Sequence, residues 1–457
     1  MSDRSRPKYL DTLAEFAAGA ELRTLSASAC ERARWIIADC LPVIATGMQQ
    51  PEMKALAAKH LAQAGGGNAW VVGTGKRAPA FDAALLNGTA GTWMELDEGN
   101  LFAKGHPGIQ VVPAAIATAQ ELEVTGAELL LAVALGYELS SRISRAADVK
   151  LSVHPHGTYG VIGAAIAAGK LKRFTKLQFR ELINIASTMG MSSSRRTLLD
   201  GATVRNIFTG HSGYMGSMAA RLVECGFTGE SDSVSAVYGS ILSDTGTFDS
   251  ARVVAGLGSE WLITQSYFKL HPAGRYAHSA IDALEDLLAS VPGGRLNISE
   301  IERIEVRAYM LAAILAEKKV VSSFGARFSI PFALASILFH GRSGIGSFDD
   351  AAVANPAVQA LAQRVDLQED KSFTARYPAE QPVELRIVMR DGAVHTGSCR
   401  VTKGEPANQH KPEELIAKFF ELGEPVWGRT VTQELYDGLM RLEAIADFRS
   451  FTDRMTL

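Results

Sequence analysis

The residues of this chain that could do chemistry fall into three short stretches. The first is Met94-Glu-Leu-Asp-Glu-Gly-Asn-Leu-Phe-Ala-Lys-Gly-His-Pro-Gly108, where Glu95, Asp97 and Glu98 crowd together ahead of Lys104 and His106. The spacing predicts a helix over 81–95 that runs into these acids, although the carboxyl end of a helix dipole is already negative. Acids placed there and partly buried take raised pKa values, which suits proton transfer; a solvated acidic helix end is the plain alternative. The second stretch, Val153-His-Pro-His-Gly-Thr-Tyr-Gly160, puts His154 and His156 just before a helix of small residues. A histidine there is either an acid–base group or a cap. An HxH pair argues for a metal only beside a third ligand, and no such ligand adjoins it in the sequence, so no metal is expected. The third stretch is Tyr267-Phe-Lys-Leu-His-Pro-Ala-Gly-Arg-Tyr-Ala-His278, with Lys269, His271, Arg275 and His278. It concentrates cations at a domain junction, where a cleft would lie; a basic surface linker is the alternative.

Further cations come from Arg205, from Arg327 and from the loop Ser192-Ser-Ser-Arg-Arg196. Guanidinium forks match carboxylates two bonds at a time, so a small polycarboxylate ligand would explain several of these arginines together. The glycine-rich stretch Ala64-Gly-Gly-Gly-Asn-Ala-Trp-Val-Val-Gly-Thr-Gly-Lys76 fits neither dinucleotide nor phosphate-loop spacing and lies between helices, so it reads as a loop. No nucleotide is expected there.

The elements that must position these groups change character along the chain. Apolar residues recur at helical spacing over 26–44, 52–64, 81–95, 109–121, 127–146, 157–172, 176–189 and 210–225. Many of these segments are rich in Ala, Gly and Ser, which lets helix backbones approach closely. After Ser266 the texture shifts. Ile304, Val306 and Ala308 alternate with charged residues, as do Val383, Leu385, Ile387 and Met389, which lead through Asp391-Gly392 into a third strand. Helices are expected over 277–290, 330–339 and 349–364, and the tail from Lys411 returns to helix. The expected fold is mostly α: a large all-helical domain, 1–265 with 403–457, plus a smaller α+β lid domain, 266–402, with an antiparallel sheet.

The 457 residues are 47% hydrophobic and 21% charged, with a net charge of −3, an ordinary globular balance that argues against a nucleic-acid partner. The four cysteines are scattered, with no CxxC pair, and read as free thiols; they also give no set of three for an iron–sulfur cluster. No apolar run is long enough for a bilayer, so a soluble, cytoplasmic protein without membrane contact is expected.

In their order, these motifs resemble the MmgE/PrpD family, whose activities include 2-methylcitrate dehydration, cis-aconitate decarboxylation and iminodisuccinate epimerisation. The resemblance covers nearly the whole chain. Leu86-Asn-Gly-Thr-Ala90, the acidic run, His106-Pro107, Val112-Pro113-Ala114, His154-Pro155, Gly226-Phe-Thr-Gly229 and Lys269 with Pro272 and Arg275 carry it. It implies a homodimer with no metal and no organic cofactor, and a cleft site between the domains. By position, His106, His154, Lys269, Asp97 and Glu98 become the catalytic candidates, with Arg205, Arg275, Arg327, Lys104 and His156 holding substrate. The implied reaction is proton chemistry at carbon on a small di- or tricarboxylate. Dehydration is expected first; epimerisation, decarboxylation or a carboxylate-binding relative without chemistry are the alternatives. On this reading Lys269→Met spares folding and lowers turnover. Three positions depart from the family pattern: Arg205 replaces a common lysine, Phe332 a common tyrosine, and Gly274 a histidine of the decarboxylase. The acidic run also continues as Glu98-Gly99-Asn100, where the family has a hydroxyl residue.

Overall fold

The computed structural model describes residues 7–455. The first of its two hydrophobic cores is built around a helix with almost no side chain. Gly160–Leu171 is buried along its length except at Lys170, and it packs against Pro107–Leu122, Gly126–Ala146 and Ile207–Glu224. The approach needs glycine: a Cβ on Gly163 would lie 2.7 Å from the Ser140 hydroxyl, and one on Gly216 would lie 2.5 Å from the Ala164 Cβ. Helix ends are fixed locally. Thr125 accepts from the Glu128 amide while Glu128 accepts from that of Thr125, a reciprocal cap of about 1 kcal/mol. Ala27–Met48 continues the stack and lies against the long C-terminal helix Pro412–Met440, whose Phe419, Leu435 and Leu439 join the first core.

Two short antiparallel ladders interrupt this helical part. Ala69–Val71 pairs with Lys76–Ala78, and Ala147–Val149 pairs with Ser243–Phe248. The glycine-rich stretch is the turn of the first ladder, with Gly73 and Gly75 at positive φ.

The second core lies under a four-stranded sheet ordered Val365–Glu369, Ile301–Ala308, Val383–Met389, Val394–Cys399. Val383, Leu385 and Ile387 face the core, while Glu384 and Arg386 face solvent, as the alternation predicts. The Asp391-Gly392 turn joins the last two strands, with Gly392 at φ +87°. Helices His278–Ser290 and Ile330–His340 pack on this sheet.

The expected antiparallel sheet gains one parallel edge strand, and the helix expected over 349–364 is divided. Pro356 holds Asn355 extended, at ψ 115°, and splits that segment into Asp350–Ala354 and Pro356–Ala362. The chain then enters the strand Val365–Glu369, which is parallel to Ile301–Ala308. A parallel neighbour requires a long crossover, and the intervening helices supply it.

Among the described residues the four cysteines are free, and no helix is long and apolar enough to cross a membrane.

Candidate active site

A cavity of about 530 Å³ is lined by residues of both parts of the fold. Its floor starts from the acidic run. The helix expected to end in acids stops earlier, as Ala80–Gly91, so Glu95, Asp97 and Glu98 occupy a buried loop instead of a solvated helix terminus. Glu95 adopts φ +53°, a left-handed conformation costing a side-chain-bearing residue about 1–2 kcal/mol. The loop is tied at both ends. Asn100 exchanges backbone hydrogen bonds with Gly105 (2.8 and 3.2 Å), and Gly99 exchanges them with Tyr267 (3.1 and 2.8 Å). The second pairing draws the segment of Lys269 alongside the acids.

Lys269 is fully buried there, its Nζ 3.2 Å from Asp97 and 3.4 Å from Glu95. It lies behind the acids and is not among the residues lining the cavity. Arg205, in the turn Thr203–Asn206, stands 2.6 Å from the other oxygen of Glu95 and does line the cavity. Two buried cations thus face two buried carboxylates. Burial alone would raise the pKa of Asp97, but Lys269, His106 and Arg205 hold it well below the usual carboxylate range.

His106 precedes Pro107, the first residue of helix Pro107–Leu122. Its Nδ1 donates to the Glu98 carbonyl at 2.7 Å and lies 2.9 Å from Asp97 Oδ2. A carbonyl only accepts, so Nδ1 carries the proton and Nε2 is left free. His156 packs edge-on to His106 and to His154, with ring centroids 4.9 and 4.6 Å apart. It is 0% exposed, yet neither of its ring nitrogens has a hydrogen-bond partner. His154 faces two donors, the backbone N–H of His156 at Nδ1 and the Arg205 Nε at Nε2, and as a neutral ring it accepts from one of them. Burial, reinforced by Arg205, pushes the pKa of both His154 and His156 well down, so both are neutral imidazoles.

The remaining residues singled out from sequence do not all converge on this floor. The Glu98 side chain turns away from the cavity: it accepts from the Gly108 amide at the start of a helix and from the Tyr137 hydroxyl. Burial pushes its pKa up to about 8. Arg327 is spent on the carbonyls of Met94 and Pro272 and does not reach the cavity. Arg275 reaches it, but is paired with Glu405 at 2.7 Å and lies over the Tyr267 ring. Lys104 is at the rim, exposed, donating to the Ala147 carbonyl. Phe332 is buried in the second core, outside the cavity lining, so its lack of a hydroxyl takes nothing from the site.

Arg195 also lines the cavity, donates only to the carbonyls of Leu151 and Val153, and forms no ion pair with a described carboxylate. In the sequence it is one of two adjacent loop arginines, and nothing local separates it from Arg196, which pairs with Asp200. Tyr377, another lining residue, carries no local signal at all.

The structure supplies the third ligand that the HxH pair lacked, but with a different partner. Asp97, His106 and His156 each bring a donor atom within 4.8 Å of the others, a set of metal-ligand type. Lys269 and Arg205 already compensate the charge of Asp97 and Glu95, and a third cation among them would meet both. The donor set fits a metal in type and resists it in charge.

The described geometry belongs to a chain with clear relatives. The MmgE/PrpD N-terminal domain family matches residues 11–249, and the MmgE/PrpD C-terminal domain family matches residues 271–439. A cis-aconitate decarboxylase of Aspergillus terreus is 25% identical over 446 residues, covering 91% of this chain and 89% of that protein. The cis-aconitate decarboxylases of Homo sapiens and Mus musculus are 26% and 25% identical, covering 75% and 81% of this chain and 72% and 77% of their own.

Proposed function

We propose, since the chain belongs to the MmgE/PrpD family, that it is a lyase releasing carbon dioxide from a small unsaturated di- or tricarboxylate. Family resemblance favours dehydration, but relatives aligned along most of the chain are named as decarboxylases, and they support decarboxylation over it. The observation that carries the reading is His156, a fully buried imidazole with two unpartnered nitrogens beside the free Nε2 of His106. A buried polar group without a partner costs about 1–3 kcal/mol, which a bound carboxylate or enolate repays.

In the proposed reaction the bond from carbon to the departing carboxylate breaks, and its electron pair spreads into the adjacent unsaturated carboxylate as a dienolate. Arg205 and the N–H of His156 hold this charge in a site already desolvated. His106 takes up a second proton from solvent at Nε2, delivers it to carbon, and keeps its Nδ1–H on the Glu98 carbonyl throughout. Asp97 fixes the ring of His106, and Lys269 fixes Asp97, so Lys269 acts by positioning. Arg195 meets a carboxylate at the rim.

The test is a screen of aconitate-like, citrate-like and amino-dicarboxylate compounds in deuterium oxide, read by proton NMR with carbon dioxide trapped in parallel. Decarboxylation gives carbon dioxide and one deuterium at carbon. Loss of water without carbon dioxide restores dehydration, and binding without exchange of any compound leaves a carboxylate-binding relative.

A further inference from the structure

Apart from Arg275, the charged groups of the cavity come from the helical segments, while the wall supplied by the second core is largely apolar. Leu198, Leu311, Leu315 and Phe328 belong to that core and also line the cavity, joined there by Tyr276 and Tyr377. The four core side chains are buried but for the small faces that line the cavity. The arrangement is held in place: Gly274 leaves room for the Phe328 ring, since a Cβ at 274 would lie 2.8 Å from it. Any larger residue at 274 would displace the ring that forms this wall.

The charges limit the polar end. Arg205 is matched by Glu95 and Arg275 by Glu405, and Asp148 and Asp244 line the cavity as well. Arg195 is left without an acid, with Lys104 at the rim. That complement suits one or two substrate carboxylates. The volume of about 530 Å³ falls within the range of about 300–1,000 Å³ that holds drug-sized ligands, more than a bare C4–C6 acid would fill.

We infer that the substrate is an unsaturated dicarboxylate carrying an alkyl or other hydrocarbon substituent, which packs on the wall of Leu198, Leu311, Leu315 and Phe328. The inference rests on the lyase reading for the reaction and on the cavity alone for the substituent. A tricarboxylate would set its extra charge against this wall with no cation to receive it. A hydrocarbon chain fills the space and gains about 0.8 kcal/mol for each methylene removed from water, a factor of about 4 in affinity.

The experiment uses unreactive saturated analogues, succinate and its 2-ethyl, 2-butyl and 2-hexyl derivatives, titrated calorimetrically into the full chain. Affinity should rise about 4-fold per methylene until the wall is covered. Leu311→Asn should flatten that rise, and Tyr377→Ser, at a half-buried position, gives the same reading should the first variant fail to fold. An affinity that is level or falls with chain length overturns the inference. So does a rise that both variants retain, which marks non-specific partition. Turnover separates the two readings. Tight binding of alkyl analogues with no reaction of any unsaturated counterpart keeps the subsite and refutes the lyase. Decarboxylation of unsubstituted acids with a level alkyl series does the reverse.

Discussion

Replacing Lys269 by methionine keeps most of the stem and deletes an ammonium wedged between Asp97 and Glu95. Sequence reasoning, which placed this lysine in an open cleft, expects folding to survive. The structure changes that expectation. Removing one partner of a buried pair leaves charge uncompensated and costs about 3–5 kcal/mol. Arg205 still faces Glu95 and His106 still faces Asp97, which favours the low end of that range. The loss should also depend on pH. Asp97 has a folded-state pKa below its unfolded value, so its stabilising share is present above the unfolded value, about 3.9, and is lost only as pH falls through the depressed folded value. Without Lys269 that folded value climbs, and the variant should become acid-sensitive at a pH the wild type tolerates. Guanidinium denaturation at pH 7 and pH 5, read at the first transition because a chain of this size need not unfold in one step, measures both effects. The double variant Lys269→Met/Glu95→Gln should recover at least about 1 kcal/mol of the single-variant loss, since the residues touch. Turnover should fall about 10²-fold or more through misplacement of Asp97 and His106. A variant within about 1 kcal/mol of wild type at both pH values would refute the reasoning, because a lysine so placed cannot be removed cheaply.

Glu98→Gln should be close to neutral in stability only below the unfolded carboxyl value of about 4.3, where the folded and unfolded states both carry the proton. A carboxyl raised in the folded state loses stability as pH rises from its unfolded value toward about 8, so the variant should be the more stable protein at pH 9, by denaturant titration. His106→Gln removes the proposed proton carrier and should lower kcat by about 10²-fold while flattening the pH–rate profile, measured on whichever substrate the screen identifies. Elemental analysis should find no stoichiometric zinc or iron, and a chelator should leave activity unchanged, because Lys269 and Arg205 already occupy the electrostatic place of a cation beside Asp97 and Glu95. Activity abolished by chelation and restored by one metal would assign Asp97, His106 and His156 to that metal instead.

The sequence determined what depends on local pattern. Helical periodicity placed the stacked helices to within a few residues, and their small side chains announced the close approaches now seen at Gly163 and Gly216. Alternation placed the strands Ile301–Ala308 and Val383–Met389. The order of motifs around His106, His154 and Lys269 pointed to segments that line the cavity or lie behind it. Only the tertiary structure decided what each group does there. Glu98 and Asp97 are neighbours in sequence, yet one anchors a helix end at a raised pKa and the other is held low, because desolvation and pairing belong to the surroundings. His154 and His156 share one motif, yet the donor atoms that converge are those of Asp97, His106 and His156, from three separate positions of the chain. Lys269 reaches Asp97 across 172 residues of chain, and Arg275 reaches Glu405 across 130. No local spacing records such contacts. The parallel strand Val365–Glu369 escaped for the same reason: its partner lies a full crossover away, and pairing at that distance is settled by the packing of the whole second core.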